Sequence, residues 1–442
     1  MSKSSLTEAF EVKPKTIISD DKIRDYDVFG DKGLLEEIRV KIVQNLIEEN
    51  IPEDTLPEDY INNEIDSVLV GYDLSNLERN HVFNLIQNEI TGYGPITPLL
   101  EDTAITEIMV NAPNEIYVEI DGKIVKDETV SFINDKHIIR TIQRIVQPLG
   151  RTIDSANPMV DARLRDGSRL NAIIPPLSLR GPILTIRKFN KKLQTIDDLL
   201  RNGSLTVNMA RFLEAAVEAK LNIIISGGTG TGKTTLLNIL SGFLGEDERI
   251  ITIEDAAELK LHQNHVISLE TRLTNYEGEG EVTIRDLVRN SLRMRPDRII
   301  VGEVRGKEAF DMMQAMNTGH EGSLTTLHAN NPVDALNRLE TMILMNEMEI
   351  PVSAVRGYIE NAIDIIVQID RFSDGKRKIT SISELAGIKD GDIVVKDIFT
   401  YKQKGLSDEG NVVGEFGLYK RKPIVYDKML RKGLTKIKDI FE

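Results

Sequence analysis

No cysteine occurs among the 442 residues of this chain. Disulfide bonds, thiolate nucleophiles and zinc sites built on cysteine are therefore excluded. The chain also has only six histidines, and two of them, His320 and His328, lie eight residues apart in the polar stretch NTGHEGSLTTLHAN. That stretch is too polar for a core strand, so these two side chains are candidates for binding a metal, a proton or a phosphate.

Long apolar runs are also missing. The amino-terminal segment MSKSSLTEAFEVKPK lacks the apolar core of about 7–15 residues that a secretory signal peptide needs. Nowhere does an apolar run approach the roughly 20 residues of a membrane-spanning helix. We therefore expect a soluble, cytoplasmic protein that meets the cytoplasmic membrane only peripherally, through partners or a surface patch.

The chain also lacks an excess of positive charge. With 55 Lys and Arg against 70 Asp and Glu, the formal charge is −15, which argues against broad, direct binding of nucleic acid. The carboxyl-terminal segments YKRKP and KMLRKGLTKIKD are locally basic. We expect these cations to be solvated or paired with acids, and contact with anionic lipid or an acidic partner is the alternative.

Changes of periodicity along the chain predict its domain organisation. Residues 1–91 begin with a polar tail and continue with apolar residues at helical spacing, which predicts a small helical module. Residues 92–190 contain two candidate hairpins, turning at Asp121-Gly122 and at Asp166-Gly167, with the helical segment KHIIRTIQRIV between them. This second region is predicted to be a mixed α+β domain with antiparallel strands.

Residues 191–442 have a different pattern. Short apolar segments (LNIIIS, RIITI, RIIVGEV) alternate with helical segments over about 170 residues, which is typical of a parallel sheet with crossover helices. Hairpin-like segments return in the last 70 residues or so. The fold class predicted for this part is α/β.

A glycine-rich stretch at residues 227–234, GGTGTGKT, matches the pattern G-x-x-x-x-G-K-[ST]. It follows the strand NIIIS and precedes the helix KTTLLNILSGFL, as the motif requires. Glycines let the backbone curl until several N–H groups point at one anion at a helix N-terminus. Lys233 can then reach the β and γ phosphates, while Thr234 can ligate Mg²⁺. The predicted nucleotide-binding residues of the loop are Gly228, Thr229, Gly230, Thr231, Gly232, Lys233, Thr234 and Thr235.

The base is predicted to be adenine. GTPases usually carry an N-K-x-D element for guanine, and the nearest segment here, NKKL at Asn190, lies before the loop and lacks the aspartate. ATP with Mg²⁺ is therefore the expected ligand pair.

Carboxylates follow two of the predicted strands. RIITIEDAAEL places Glu254 and Asp255 after one strand, and PDRIIVGEVRG places Glu303 after another, at the edge where open α/β sheets bind ligands. Many P-loop enzymes have a metal-side aspartate where this chain has Gly302. Either Glu303 takes the metal-side role and Glu254 orients water, or the roles are reversed; the sequence leaves both open.

A helix predicted for VTIRDLVRNSLRMRPD precedes the second of these strands. Thr283 and Asp286 fit a capping box, and the arginines lie off the apolar stripe. We expect these arginines to be solvated or to pair with acidic residues of the chain. The alternative is that one of them acts on a phosphate bound by a neighbouring subunit. They are Arg285, Arg289, Arg293 and Arg295.

The histidine stretch is interpreted against this background. A transition-metal site would need a third ligand, and only Glu321 is close in sequence. GSLTTLHAN predicts a short strand with His328 near its end, on the phosphate side of the sheet. We therefore expect His328 to sense the γ-phosphate, whereas His320 is expected to shape the loop; a buried structural role remains the alternative for each.

Together these motifs resemble the secretion ATPase superfamily of type II and type IV secretion motors and type IV pilus motors. The Walker A loop, an acidic box (TIEDAAEL), a Walker B strand ending in Gly-Glu (IIVGEVRG) and a histidine box (NTGHEGSLTTLHAN) all have counterparts here. The segments NPMVDARLRDGSRLNAIIPPLSLRGPILTIRKF and GEVTIRDLVRNSLRMRPDRIIVGEVRG resemble the CpaF (TadA) branch, which powers tight-adherence (Flp) pilus assembly. The resemblance covers roughly residues 90–390.

The resemblance implies a homohexameric ATPase. It implies a RecA-like P-loop core with a parallel sheet at 191–442, preceded by a PAS-like α+β domain at 92–190. ATP would lie between the two domains, and Arg169 and Arg187 are the candidate arginines that reach it. Glu254, Glu303, Lys233 and His328 would be catalytic, with Thr234 and Glu303 on the metal.

The implied activity is ATP hydrolysis that moves pilins through an inner-membrane platform protein. The absence of a tetracysteine element argues against the type II secretion branch. There are two alternatives: a motor for conjugative transfer or type IV secretion, and a nucleotide-gated regulatory ring with little turnover.

Overall fold

The structure is a computed structural model that describes residues 92–120, 122–189, 195–272, 280–346, 350–419 and 421–442, with single positions before residue 92. The predicted tail and helical module at 1–91 lie outside the described residues apart from those positions. Contacts divide the chain into two compact units. The first extends to Leu164 and includes Arg169–Lys188, and the second comprises Arg165–Ser168 and Phe189–Glu442.

The first unit contains one six-stranded sheet in the order β3-β2-β1-β6-β5-β4, and every neighbouring pair is antiparallel. Its strands are β1 (Ile105–Ala112), β2 (Glu115–Ile120), β3 (Lys123–Asp127), β4 (Met159–Arg163), β5 (Arg169–Ile173) and β6 (Ile183–Arg187). Among its described residues, the helices are α1 (Thr97–Glu101) and α2 (Asp135–Val146).

Both predicted hairpins are confirmed. β2 pairs with β3 across residues 121–122, and β4 pairs with β5 around Asp166-Gly167. Gly167 has φ +92°, a left-handed conformation that a tight turn needs and that glycine adopts without strain. Helix α2, predicted from KHIIRTIQRIV, buries Ile138 and Ile142 in the same apolar cluster as the strands.

The second unit contains a nine-stranded sheet in the order β15-β14-β13-β12-β7-β11-β10-β8-β9. From β12 to β9 neighbouring strands are parallel, and from β12 to β15 they are antiparallel. The strands are β7 (Ile223–Ser226), β8 (Ile250–Glu254), β9 (Val266–Glu270), β10 (Arg298–Val301), β11 (Leu324–Leu327), β12 (Ile365–Arg371), β13 (Arg377–Lys389), β14 (Asp392–Leu406) and β15 (Val412–Leu418). The predicted parallel sheet and the carboxyl-terminal hairpins are thus confirmed.

Helices cover both faces of this sheet. They are α3 (Ile196–Arg201), α4 (Val207–Glu218), α5 (Lys233–Ser241), α6 (Ile284–Ser291), α7 (Glu308–Asn317), α8 (Pro332–Leu344), α9 (Val352–Ala362), α10 (Val425–Arg431) and α11 (Lys438–Phe441). Along β7, Ile223 and Ile225 pack in the core with α4 and α5, whereas Ile224 packs in the core with α6 to α9. Alternate side chains point to opposite faces of a strand, so strands buried on both faces are apolar throughout.

One predicted boundary is wrong. The helix expected for VTIRDLVRNSLRMRPD ends at Ser291, so Arg293 and Arg295 lie beyond it. The buried Ser291 hydroxyl donates to the Val288 carbonyl at 2.7 Å, and Met294 N–H bonds back to the Ser291 carbonyl at 2.8 Å. These bonds close tighter turns that replace the helical ladder.

Within the part of the chain that the structure describes, no helix has the length and apolar character needed to cross a bilayer.

Candidate nucleotide-binding site

The glycine-rich loop joins the carboxyl end of β7 to the start of α5. Gly232 caps the helix with φ +95°, and Gly230 has φ +71°. Both angles are readily available only to glycine, and they turn successive N–H groups towards one side, as an anion-binding loop requires. A side chain at Gly227 would collide with the carbonyl of Ile369 on β12, so glycine is required there for close packing.

Lys233 is the first residue of α5 and is 6% exposed. Its Nζ donates to the Gly228 carbonyl at 2.8 Å and lies 3.3 Å from His328 Nδ1. Thr231 Oγ1 donates to the same carbonyl at 3.0 Å. The ammonium group is thus folded back over the loop, where a phosphate group would replace these acceptors.

His328 lies between Lys233 and Glu303. Its Nε2 is 2.9 Å from Glu303 Oε1, and Lys233 Nζ lies 3.3 Å from Nδ1 and 3.5 Å from Nε2 of the same ring. Burial lowers the pKa of His328 below its usual value of 6.5, the Glu303 carboxylate opposes this shift, and the Lys233 charge reinforces it. The ring is therefore neutral at pH 7, and the partners favour the tautomer in which Nε2 carries the proton and Nδ1 accepts from Lys233.

Glu303 lies two residues after the end of β10. The backbone around it is held by the bond from Gly302 N to the Ile253 carbonyl (2.8 Å) and by the bond from Val304 N to the Thr326 carbonyl (3.0 Å). Its Oε2 accepts from Arg305 Nη2 at 2.6 Å. Its Oε1 is buried and has no hydrogen-bond partner of ordinary geometry, because the short approach of His328 is poorly aligned. Oε1 can therefore accept a bond from a further donor.

Arg305 is a site residue that the motif analysis did not single out. Besides Glu303, its guanidinium lies 3.7 Å from Asp255, and its backbone N–H donates to Glu308 Oε1 at 2.6 Å. The hydrogen bond to Glu303 raises the pKa of Arg305 above its usual value. Its position two residues after Glu303, in IIVGEVRG, was the available signal in the sequence.

Glu254 ends β8 and is 3% exposed. Its Oε1 accepts the backbone N–H groups of Glu258 (2.9 Å) and Leu259 (3.1 Å). A side chain at Gly302 would press against Glu254 Cγ, at 2.9 Å from the added carbon. The two strand-end acids thus differ: the Glu254 carboxylate holds a loop, whereas the Glu303 carboxylate lies beside Lys233 and His328.

The two histidines of NTGHEGSLTTLHAN lie at opposite edges of the sheet. His320 precedes β11 and His328 follows it, and four residues of strand span about 13 Å. Near His320, the φ of Gly322 is +81°, and a side chain there would collide with the buried guanidinium of Arg298. Arg298 Nη1 donates to the Gly322 carbonyl at 3.0 Å, so this end of the stretch is structural.

Arg169 and Arg187 belong to the first unit. They occupy directly opposed positions on β5 and β6, and Arg163 on β4 extends the same row. Opposed residues on antiparallel strands share a face, so three guanidinium groups lie on one face of the sheet. Their action on a nucleotide stays a prediction.

The arginines of α6 have acidic partners. Arg285 Nε donates to Asp311 Oδ2 at 2.8 Å, and Arg289 Nε lies 3.8 Å from Asp311 Oδ1. Asp311 is buried on α7, where one carboxylate faces both cations. These contacts agree with the predicted pairing of the arginines with acids.

The residues at this edge fit a magnesium nucleotide. Thr234 supplies a hydroxyl oxygen at the start of α5, and Glu303 supplies a carboxylate oxygen that has no ordinary hydrogen-bond partner. Mg²⁺ prefers such oxygen donors and takes several of its ligands from water and phosphate. Among the described residues, no group of three or more His, Asp or Glu side chains is placed to hold a metal by itself.

Comparison with known proteins identifies a family and several relatives. The family model described as "Type II/IV secretion system protein" matches residues 89–404. A putative conjugal transfer protein of Mycobacterium tuberculosis is 36% identical over 331 residues, 74% of this chain and 93% of the relative. The type IV secretion system protein PtlH of Bordetella pertussis is 36% identical over 300 residues, 62% of this chain and 88% of the relative. Among solved structures, the VirB11 ATPase of Brucella suis, crystallised with sulphate, is 29% identical with a TM-score of 0.36, covering 66% of this chain and 95% of that one.

Proposed function

Because this chain belongs to the type II/IV secretion system protein family, we propose that it is an ATP-hydrolysing motor whose work depends on the line of contacts Lys233–His328–Glu303. That line is the observation that carries the proposal. It joins the residue that would bind the phosphates to the carboxylate that would orient water, through a neutral imidazole. A glycine-rich turn with a purely structural role would not require this line of contacts.

In this mechanism ATP binds to the N–H groups of residues 228–235. Lys233 Nζ leaves the Gly228 carbonyl and His328 for the β and γ phosphates. The Nε2–H group of His328 then turns from Glu303 to donate to the terminal phosphate, so the position of the ring depends on whether that phosphate is still attached. Thr234 and Glu303 would hold Mg²⁺ when it is bound, and the ion would neutralise phosphate charge.

Glu303 is assigned to the attacking water and Glu254 to positioning. Glu303 Oε1 retains the capacity to accept a bond, whereas Glu254 Oε1 already accepts two backbone N–H groups. Arg305 holds Glu303 Oε2 at 2.6 Å and thereby fixes the plane of the carboxylate. A carboxylate held in this way is suited to orienting a water molecule in line with the phosphate.

We further propose that the chain acts as a cytoplasmic homohexamer in which Arg169 and Arg187 reach the nucleotide. The cargo machinery proposed is a tight-adherence pilus, with pilins moved through an inner-membrane platform protein, on the segment resemblances described above. Conjugative or type IV secretion is the second candidate, and it is favoured by the names of the relatives in Mycobacterium and Bordetella.

The test is a deletion strain complemented with wild type, with Lys233→Ala or with the surface control Lys432→Ala. We expect Lys233→Ala to fold normally but to lose ATPase activity and surface filaments, because the only ammonium group that the loop aims at the phosphates is gone. Electron microscopy of filaments and an assay of DNA or effector transfer are run on the same strains. Normal filaments with lost transfer would move the assignment to the second candidate.

The rate of ATP turnover distinguishes a motor from the third possibility, a regulatory ring. A motor must hydrolyse ATP repeatedly, so we expect kcat on the order of 1 per second or faster for the assembled wild-type protein. Tight ATP binding with a single turnover would overturn the motor assignment.

A further inference from the structure

The β12–β13 hairpin lies against the outer side of the phosphate loop. β12 pairs with β7 up to Gln368 opposite Ser226, and the next residue, Ile369, packs its carbonyl against Gly227. Beyond that point the hairpin places two cations in register, Arg371 directly opposite Arg377. No motif in the sequence marks either arginine.

Arg377 contacts the backbone of the loop. Its Nε donates to the Gly230 carbonyl at 3.1 Å. Its Cδ lies 3.3 Å from where a Cβ on Gly232 would stand, and Arg371 Nη1 lies 4.0 Å from the same position on Gly230. The two side chains therefore border the segment Gly230–Gly232, in which both glycines have positive φ.

Such a loop has a physical requirement on its outer side. When N–H groups converge on an anion, the carbonyl groups between them point away and need donors of their own. The Gly228 carbonyl is bonded by Thr231 Oγ1 and by Lys233 Nζ. Lys233 must release it to reach a phosphate, whereas the bond from Arg377 to Gly230 can persist in both states.

We propose that Arg377 is a positioning residue of the phosphate loop, holding the Gly230 carbonyl outward so that the loop is formed before nucleotide arrives. Arg371, its cross-strand partner, adds a second positive charge beside the segment that would receive the phosphates. The role in ATP binding rests on the function proposed above. The effect on loop order does not, because the contact exists without nucleotide.

The experiment compares Arg377→Ala, Arg377→Lys and Arg371→Ala with Arg431→Ala, an exposed arginine of α10. Hydrogen exchange of peptides spanning residues 226–234 is measured on the nucleotide-free full-length protein. Affinity is then measured with a fluorescent ATP analogue, together with kcat, KM and Tm.

We expect Arg377→Ala to speed exchange in residues 228–232 and to weaken ATP binding about tenfold, as the loss of one charged donor to a backbone carbonyl implies. KM should rise more than kcat falls, because a preformed loop aids binding more than chemistry. Arg377→Lys should recover part of the affinity, and Arg371→Ala should weaken binding without faster exchange.

The proposal is overturned if Arg377→Ala matches Arg431→Ala within twofold in both exchange and affinity. A lower Tm in Arg377→Ala with exchange raised equally throughout the second unit, rather than in residues 228–232, would also overturn it, since the role would then be one of stability alone. If wild type itself fails to bind ATP, the proposed function is wrong, and the exchange data still decide the role of Arg377 in the loop.

Discussion

His328→Ala is the substitution that most directly probes the site. It removes the 3.3 Å contact with Lys233 and the 2.9 Å contact with Glu303, both charged partners. Because Lys233 moves to the phosphates when ATP binds, the bond that matters during hydrolysis is the one from His328 to the charged terminal phosphate, and hydrogen bonds to charged groups contribute about 1.5–3 kcal/mol each. A loss of about 1.5–3 kcal/mol corresponds to a fall of roughly 10- to 150-fold.

The fall is expected in kcat, with KM within about threefold of wild type, because His328 would meet the terminal phosphate as it departs. Steady-state ATPase assays on the assembled protein measure both constants. His320→Ala is the matched control, since His320 lies at the other edge of the sheet. If His328→Ala and His320→Ala show equal kcat, the phosphate-sensing role is refuted and His328 returns to a structural one.

The same side chain makes a prediction about pH. The pKa of His328 is lowered from 6.5, mainly by burial. The neutral ring therefore predominates at pH 6.5, and the acid-side loss of activity attributed to its protonation should have its midpoint below that value. Protonation would set a second cation against Lys233 and remove the Nδ1 acceptor. His328→Asn should abolish this part of the acid limb in a pH profile of kcat/KM, and an unchanged limb would assign it to another group.

Two further predictions concern the supports of the site. Glu254→Ala leaves the buried N–H group of Leu259 and the half-buried N–H group of Glu258 without their acceptor, so we expect the free energy of unfolding to fall by about 2–4 kcal/mol. Glu303→Gln should leave Tm near the wild-type value and lower kcat at least 100-fold. An equal loss of kcat in folded Glu254→Gln would reverse the two roles. Gly322→Ala should destabilise the protein by at least 3 kcal/mol, because the added Cβ would collide with the guanidinium of Arg298. Gly319→Ala is the control: Gly319 has φ +94° and open space around it, so this substitution should cost only about 1–2 kcal/mol. Equal Tm values for the two variants would contradict the collision.

Much of the architecture was predictable because it depends on local pattern. Alternating apolar segments and helices indicated the parallel sheet, and Asp-Gly pairs indicated the hairpins at residues 121–122 and 166–167. The capping box of Thr283 and Asp286 forms as predicted, since its residues are three positions apart. The end of that helix was not predictable, because it depends on the hydroxyl of Ser291 competing for a carbonyl in a buried setting.

The amino-acid sequence by itself determined the phosphate loop, the acids after two strands and the separation of His328 from His320, because each follows from spacing along one segment. Only the tertiary structure distinguished Glu254, tied to backbone N–H groups, from Glu303, set between His328 and Arg305. It also brought Arg377 to the phosphate loop from 147 positions along the chain. The reason is physical: hydrogen bonds between distant segments depend on strand order and register, and neither is encoded in the neighbourhood of any single motif.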